Sequence, residues 1–143
     1  MTLVERVSLY IATLCESIGV NAEDIYHPST NAWYFSNGSH TIEVFLSNQK
    51  AAGSESDTFL RCMAPLCAIP AEPTRQFALF RLMLQVNGKY MGFKITADED
   101  RGLLCIVTER NISGMDYEEM VSMIDHVAHW AGRLDKFLAE QPV

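Results

Sequence analysis

The sequence predicts an α+β domain with an antiparallel sheet, in the order α-β-β-β-α-β-β-α. Apolar residues recur every three or four positions near both ends of the chain and again in its middle, which is typical of amphipathic helices. Between these helices, two segments alternate apolar and polar residues around turn-forming residues, which is typical of β-hairpins. The 143 residues, 48% hydrophobic and 20% charged, suit a single domain over residues 1–143 with one core.

The first helix and the first hairpin are predicted from local signals. Residues 3–18 form the helix, and Gly19 is placed to end it. The apolar positions that define its face are Val4, Val7, Ile11, Leu14 and Ile18. The hairpin pairs residues 32–36 with residues 41–46, and Asn37 and Gly38 favour a type I′ turn between them.

The middle of the chain predicts a loop, a strand and a helix. Residues 48–57 are small and polar, which favours a mobile surface loop. Residues 58–69 form a third strand, and Pro65 indicates that this strand lies at a sheet edge or contains a bulge. The second helix opens at Glu72, Pro73 and Thr74 and closes at Asn87 and Gly88.

The last third of the chain predicts a second hairpin and the longest helix. Residues 90–96 pair with residues 103–109 across the charged turn at 98–102. The helix begins at Ser113 or Asp116, either of which can cap it. Its apolar face is long and regular, with Tyr117, Met120, Val121, Ile124, Val127, Ala128, Ala131, Leu134 and Leu138.

Charge and composition exclude several classes of protein. A net charge of -7 has the wrong sign for phosphate neutralisation, so no nucleic-acid partner is expected. The start of the chain lacks a basic segment followed by an apolar one, and no apolar run approaches the ~20 residues that span a bilayer. We therefore expect a cytoplasmic protein with no membrane partner. The four cysteines, Cys15, Cys62, Cys67 and Cys105, contain no C-x-x-C pair and are expected to be buried free thiols.

The candidates for chemistry are weak, so we expect no catalytic residue, no metal ligand and no cofactor. His126 and His129 have i, i+3 spacing, but no third ligand stands at a motif-like distance. The acidic run at 98–100 lacks the calcium-loop pattern and is interpreted as a charged turn. A cysteine nucleophile paired with His27 or His40 has no local signature to support it.

Two apolar surfaces are candidates for a dimer or partner interface. On the second helix Phe77, Phe80 and Leu84 extend an apolar arc of roughly 220°, about twice what one sheet face needs. Either the first or the last helix of the same chain covers the surplus, or the surplus forms a homodimer or partner interface. On the last helix a second stripe lies beside the core face and suits an adaptable protein-binding surface or a wide core face. Its members are Met123, His126, Trp130, Arg133 and Phe137.

A family resemblance enters through four segments. They are residues 82–87 (LMLQVN), residues 91–98 (MGFKITAD), residues 103–109 (LLCIVTE) and the DYEEM opening at Asp116 of the helix that bears Trp130. Across roughly residues 32–139 the chain resembles the YbjN family and the type III secretion chaperones that share its fold. Leu82, Met83, Asn87, Phe93 and Ile95 are the positions that carry over, and the family has no catalytic residues to transfer. The resemblance implies a non-enzymatic homodimer that binds an extended client segment.

The client could bind in two ways. It could add a strand to an open sheet edge, for which residues 58–69 are the candidate, or it could place apolar side chains in grooves beside the helices. Three functions stay open: a chaperone-like or regulatory adaptor, a dedicated type III secretion effector chaperone, and, remotely, a metal- or thiol-dependent enzyme or sensor.

Overall fold

The structure, a computed structural model, describes residues 1–50 and 56–141. The predicted order of the main elements is confirmed, and a one-turn helix and a two-residue strand precede the first hairpin. The helices are α1 Leu3–Ile18, α2 Ala22–Ile25, α3 Pro73–Lys89 and α4 Tyr117–Ala139. The strands are β1 Tyr26–His27, β2 Ala32–Asn37, β3 His40–Lys50, β4 Ser56–Ala68, β5 Lys94–Asp98 and β6 Leu103–Asn111.

All six of these strands form one antiparallel sheet in the order β1-β2-β3-β4-β6-β5. The two predicted strand groups are joined where β4 pairs with β6. The predicted α+β class with an antiparallel sheet is therefore confirmed. Within the described part of the chain, no helix is long and apolar enough to cross a membrane.

The predicted edge position is wrong for residues 59–63, because β4 lies between β3 and β6 and these residues pair on both sides, whereas residues 64–68 pair with β6 alone. The alternative prediction, a bulge, is correct. The pairing with β6 shifts between Pro65 and Cys67, so Leu66 has no partner of its own. Proline has no backbone N–H to donate, and Pro65 lies at this bulge, beyond the last pair of β4 with β3 at Met63.

The loop predicted at 48–57 is shorter than expected. Asn48 pairs with Thr58 and Lys50 with Ser56, so both ends of this segment belong to strands. The Thr58 hydroxyl also donates a 2.9 Å hydrogen bond to Oδ1 of Asn48. Residues 51–55, where the rest of the predicted loop falls, lie outside the described residues.

The first hairpin turn uses Gly38 and Ser39 rather than Asn37 and Gly38, because Asn37 pairs with His40 as the last rung of the ladder. Of the turn residues only Gly38 has a positive φ, +62°. A positive φ at the first central residue alone is the type II′ pattern, which requires glycine there. The predicted type I′ turn at Asn37 and Gly38 is therefore wrong, because the turn lies one residue later in the chain and is of type II′.

Capping side chains fix where the long helices begin. Thr2 and Glu5 form a capping box on α1, and Asp116 and Glu119 form one on α4, so Asp116 rather than Ser113 caps the last helix. Helix α3 does not close at Asn87 and Gly88 but continues to Lys89. The Asn87 side chain instead accepts a 2.8 Å hydrogen bond from the Ile95 amide and donates to the Ile95 carbonyl at 3.3 Å.

The main core lies between one sheet face and the helices. Leu60, Cys62 and Ala64 of β4 point to this face and are fully buried. Helix α4 covers them with the side chains of Met120, Ile124, Val127, Ala131 and Leu134. The opposite sheet face carries a smaller cluster, in which Phe45 and Leu103 pack over Met63, Cys105 and Val107.

Candidate protein-binding surfaces

Helix α3 presents more apolar surface than its own fold covers. Its capping residue, Glu72, accepts hydrogen bonds from the amides of Thr74 and Arg75, and these bonds lower the pKa of the Glu72 carboxyl. The core takes Leu79, Met83 and Val86, which are buried. Phe77 and Leu84 are 68% and 71% exposed, and Phe80 between them is half-buried. We call Phe77, Phe80 and Leu84 the α3 strip.

The α3 strip continues to an open edge of the sheet. A cavity of about 480 Å³ lies over the strip, with Arg81 and Gln85 at its sides. A second cavity, of about 210 Å³, runs between α3 and β5 and includes Phe80, Leu84 and Ile95. Because β5 is the last strand of the described sheet, an apolar helix face and an unpaired strand edge lie side by side.

The predicted stripe on α4 is only partly exposed. Met123, Trp130 and Phe137 are half-buried and pack against the core cluster. The ring centroid of Trp130 lies 4.7 Å from that of Tyr90 and 4.8 Å from that of Phe93. The segment between α3 and β5 therefore covers part of this stripe, and Arg133 is its only exposed member.

The two histidines of α4 lie in different surroundings. His126 is half-buried, and among the described residues its Nε2 has no hydrogen-bond partner. A Cβ placed on Gly92 would lie 2.8 Å from that Nε2, so a larger residue there requires the His126 ring to shift. His129 is exposed, with its ring centroid 5.9 Å from that of Trp130. No three His, Cys, Asp or Glu side chains within residues 1–50 and 56–141 are grouped to hold a metal ion.

The acidic run at 98–100 belongs to a hairpin turn stabilised by an arginine. Arg101 donates from Nε to Asp98 at 2.6 Å and lies 3.5 Å from Glu43 on β3. The Arg101 side-chain hydrogen bond lowers the pKa of the Asp98 carboxyl. These contacts neutralise part of the run, as expected for a charged turn.

The cysteines are free, and all but the half-buried Cys67 are buried. Burial raises the pKa of the Cys62 thiol to about 12, and it also raises the pKa values of Cys15, Cys67 and Cys105. A nucleophilic cysteine needs the opposite shift. The histidines considered as partners make other contacts: His40 contacts Asp135 at 3.0 Å, and the His27 ring packs on Tyr34 at 4.7 Å.

A groove that the sequence did not predict lies between α1 and β2. Its volume is about 680 Å³, and its floor is apolar. The lining residues are Val4, Ser8, Ala22, Glu23, Tyr26, Pro28, Asn31, Trp33 and Leu46. Asn31 has a positive φ of +55° in the turn between β1 and β2, and its side chain accepts a hydrogen bond from the Tyr26 hydroxyl. We call this cavity the α1–β2 groove.

Comparison with known proteins identifies the fold. No family model matches the sequence, and no curated protein matches it. Solved structures do match over nearly the whole chain. A chain of the ExsC–ExsE complex superposes with a TM-score of 0.62 at 15% identity, covering 95% of this chain and 96% of that chain. The Yersinia pestis type III secretion chaperone SycH, in complex with a stable fragment of YscM2, gives 0.58 at 12% identity, covering 89% and 98%.

A third structure extends the same result. The HopA1–SchA chaperone–effector complex gives a TM-score of 0.58 at 10% identity, covering 91% of this chain and 93% of that chain. None of these likenesses bears on the YbjN part of the resemblance, which stays a prediction. At identities of 10–15%, the similarity establishes the fold alone. The chain has the α+β fold of the type III secretion chaperones.

Proposed function

We propose that this chain is a non-enzymatic, cytoplasmic protein-binding module, a chaperone-like or regulatory adaptor that acts as a homodimer of single-domain subunits. The observation that carries the proposal is the α3 strip, where Phe77 and Leu84 are each about 70% exposed. Exposed apolar side chains in a row on one helix face favour a protein partner. The matching solved structures support the proposal, since they are complexes of proteins with protein partners.

The α3 strip and the adjacent β5 edge form the dimer interface in this proposal. A two-fold interface uses the same patch on both subunits, so it brings each strip against its copy. Phe77 and Leu84 are large and lie on one stable helix, as an isologous contact requires. Phe80 contributes both to the interface and to the subunit core.

The α1–β2 groove receives the client. The strand that the sequence favoured for client pairing, residues 58–69, falls on β4, of which residues 59–63 are already paired on both sides and residues 64–68 are paired with β6. Since the open edge of β5 belongs to the dimer interface in this proposal, the client binds by the other mode, apolar anchoring beside a helix. Trp33 and Leu46 offer the groove an apolar floor, and Ser8, Glu23 and Asn31 give its rim polar groups for a client main chain.

A matched pair of variants on α1 tests the client site. Val4 lines the groove and is 47% exposed, while Leu9 is 51% exposed and does not line it. We expect Val4→Asp to release a polypeptide that co-purifies from the native host and Leu9→Asp to retain it. Equal retention by both variants would contradict the groove assignment, and an unchanged unfolding midpoint for both would show that folding is intact.

A dedicated type III secretion effector chaperone is the second candidate function. The fold match covers 93–98% of SycH and SchA, which the structures name as a secretion chaperone and as part of a chaperone–effector complex. A gene next to that of an effector, and loss of that effector's secretion when the gene is deleted, would favour this candidate over a general adaptor. The remote alternative, a metal- or thiol-dependent enzyme or sensor, would require metal in elemental analysis of the pure protein or a reactive thiol.

A further inference from the structure

An aromatic cluster between α3 and α4 carries two cations on its rings. Trp130 packs against Tyr90 at 4.7 Å, and the guanidinium carbon of Arg133 lies 4.6 Å from the Trp130 ring centroid. The Lys89 ammonium lies 5.3 Å from the Tyr90 ring centroid. Phe93 completes the cluster at 4.8 Å from Trp130. We call these five residues the aromatic–cationic patch.

The two cations are not neutralised by carboxylates. Elsewhere on the described surface Arg61, Arg101 and Arg110 lie in ion pairs with acidic side chains. Across residues 1–50 and 56–141, neither Lys89 nor Arg133 has a carboxylate oxygen within 4.0 Å. Lys89 and Arg133 are therefore two exposed cations on one ring cluster, without an ion pair in the described part of the chain, in a protein with a net charge of -7.

The charged groups of Lys89 and Arg133 are accessible to an anionic ligand. A guanidinium stacked on an indole keeps its N–H groups at its edge, where they can hold a carboxylate with two parallel hydrogen bonds. Both Lys89 and Arg133 are exposed, and the rings beside them are half-buried. Met91, next to these rings in the chain, is 89% exposed and adds a flexible apolar contact.

From this geometry we propose that the aromatic–cationic patch binds an acidic segment of a partner protein, one that places apolar side chains between carboxylates. The steps from Lys89 to Tyr90, Tyr90 to Trp130 and Trp130 to Arg133 are 5.3, 4.7 and 4.6 Å. A stretch of about five extended residues, at ~3.3 Å each, reaches across them. This inference rests on the proposed protein-binding function and adds a second contact site with its own chemistry.

Charge complementarity favours this partner over others. A single-stranded nucleic acid could also stack on exposed rings, but the remaining surface of a chain with net charge -7 repels phosphates. A second copy would bring the same cations against each other in a two-fold contact. An acidic peptide segment with apolar side chains between its carboxylates has a lower charge density than a nucleic-acid backbone, so it meets less of that repulsion while its carboxylates contact the cations and its apolar side chains contact the rings.

The test uses a short synthetic peptide of about ten residues, in which two phenylalanines stand among aspartates and glutamates, with a copy that has lysine at each acidic position. Fluorescence anisotropy of the labelled peptides measures affinity. The emission of Trp130 in a Trp33→Phe background reports binding at the patch, because the chain has 2 tryptophans. We expect the acidic peptide to bind and the lysine copy to bind at least about tenfold more weakly.

Two double variants give the decisive comparison. Lys89→Glu with Arg133→Glu should weaken the acidic peptide at least about tenfold and strengthen the lysine copy. Arg6→Glu with Lys136→Glu makes the same change in net charge at exposed residues outside the patch, and it should change either affinity by less than about twofold. These substitutions spare the rings, whereas Trp130→Ala would also remove packing.

The outcomes separate this inference from the proposed function. Equal weakening by both double variants would show nonspecific attraction and overturn the patch. Binding of a labelled oligothymidylate to the patch, or loss of the dimer in the Lys89→Glu, Arg133→Glu variant, would assign it to a different partner and overturn the inference as well. If that variant loses the peptide but keeps the client that Val4→Asp releases, both proposals stand as two sites.

Discussion

Leu84→Ser is the most direct single perturbation of the proposed dimer interface. Fully burying a leucine side chain contributes roughly 1.5–3 kcal/mol, and 71% of Leu84 is exposed in the isolated chain. Its burial in a dimer would therefore contribute roughly 1–2 kcal/mol per subunit. A two-fold interface contains the residue twice, so the substitution should weaken the dimer by roughly 2–4 kcal/mol, which raises the dissociation constant roughly 30- to 1000-fold.

Sedimentation equilibrium over a range of protein concentrations measures this change. Leu9→Ser, on the 51% exposed Leu9 of α1, is the matched control and should leave the dimer intact. Neither substitution should lower the unfolding midpoint of the monomer by much, because both side chains are largely exposed already. A Leu84→Ser protein that dimerises as tightly as wild type would refute the interface, and so would an equal loss of the dimer in Leu9→Ser.

Three further predictions follow from individual contacts. Gly92→Ala should destabilise the fold by at least ~1 kcal/mol more than Gly114→Ala in thermal or urea unfolding. Both glycines have positive φ, but only at Gly92 would the new Cβ contact the packed His126 ring. Equal losses of stability in the two variants would show that the His126 ring moves freely. Asp98→Asn should be less stable than wild type at pH 7, because the Arg101 contact favours the ionised Asp98 carboxylate. The difference in stability should shrink as the pH falls to the ordinary Asp98 pKa of 3.8 and vanish below the lowered pKa of the folded protein. A difference in urea unfolding that does not depend on pH would contradict this. Ellman's reagent at pH 8 should leave Cys62 unmodified in the folded protein, because burial raises its thiol pKa to about 12; its modification as fast as in guanidinium would contradict that burial.

The helices could be predicted because their signals are local. In α1 the buried Val7, Ile11 and Leu14 follow the same spacing that the apolar residues show in the sequence. The α3 strip could be predicted for a related reason, since the helix has more apolar residues than one sheet face can cover, and Phe77 and Leu84 are the surplus.

The position of β4 could not be predicted, because it depends on a pairing partner far along the chain. Pro65 has no N–H to donate to a neighbouring strand, and this is compatible with an edge strand and with a bulge equally well. Only the pairing of Pro65 with Cys105 on β6 decides between them. The II′ turn was missed for a similar reason, since the register of β2 and β3 determines which two residues of the Asn37–Gly38–Ser39 stretch are central.

The surfaces built from several elements were the hardest to predict. The α1–β2 groove combines Val4 of α1 with Trp33 of β2 and Leu46 of β3, and no sequence motif links them. Part of the aromatic–cationic patch could be predicted, because Trp130 and Arg133 belong to the predicted α4 stripe. The two rings that pack on Trp130 could not, because they come from the segment after α3.

The central claim is that the chain is a dimeric protein-binding module, and native mass spectrometry of the protein purified gently from its own host tests it most directly. One spectrum reports the number of subunits and any retained polypeptide. The account predicts two copies with a second polypeptide that is absent from the Val4→Asp protein and present with Leu9→Asp. A bare monomer from wild type, over the concentrations at which Leu84→Ser and wild type are compared, would contradict both the interface and the function.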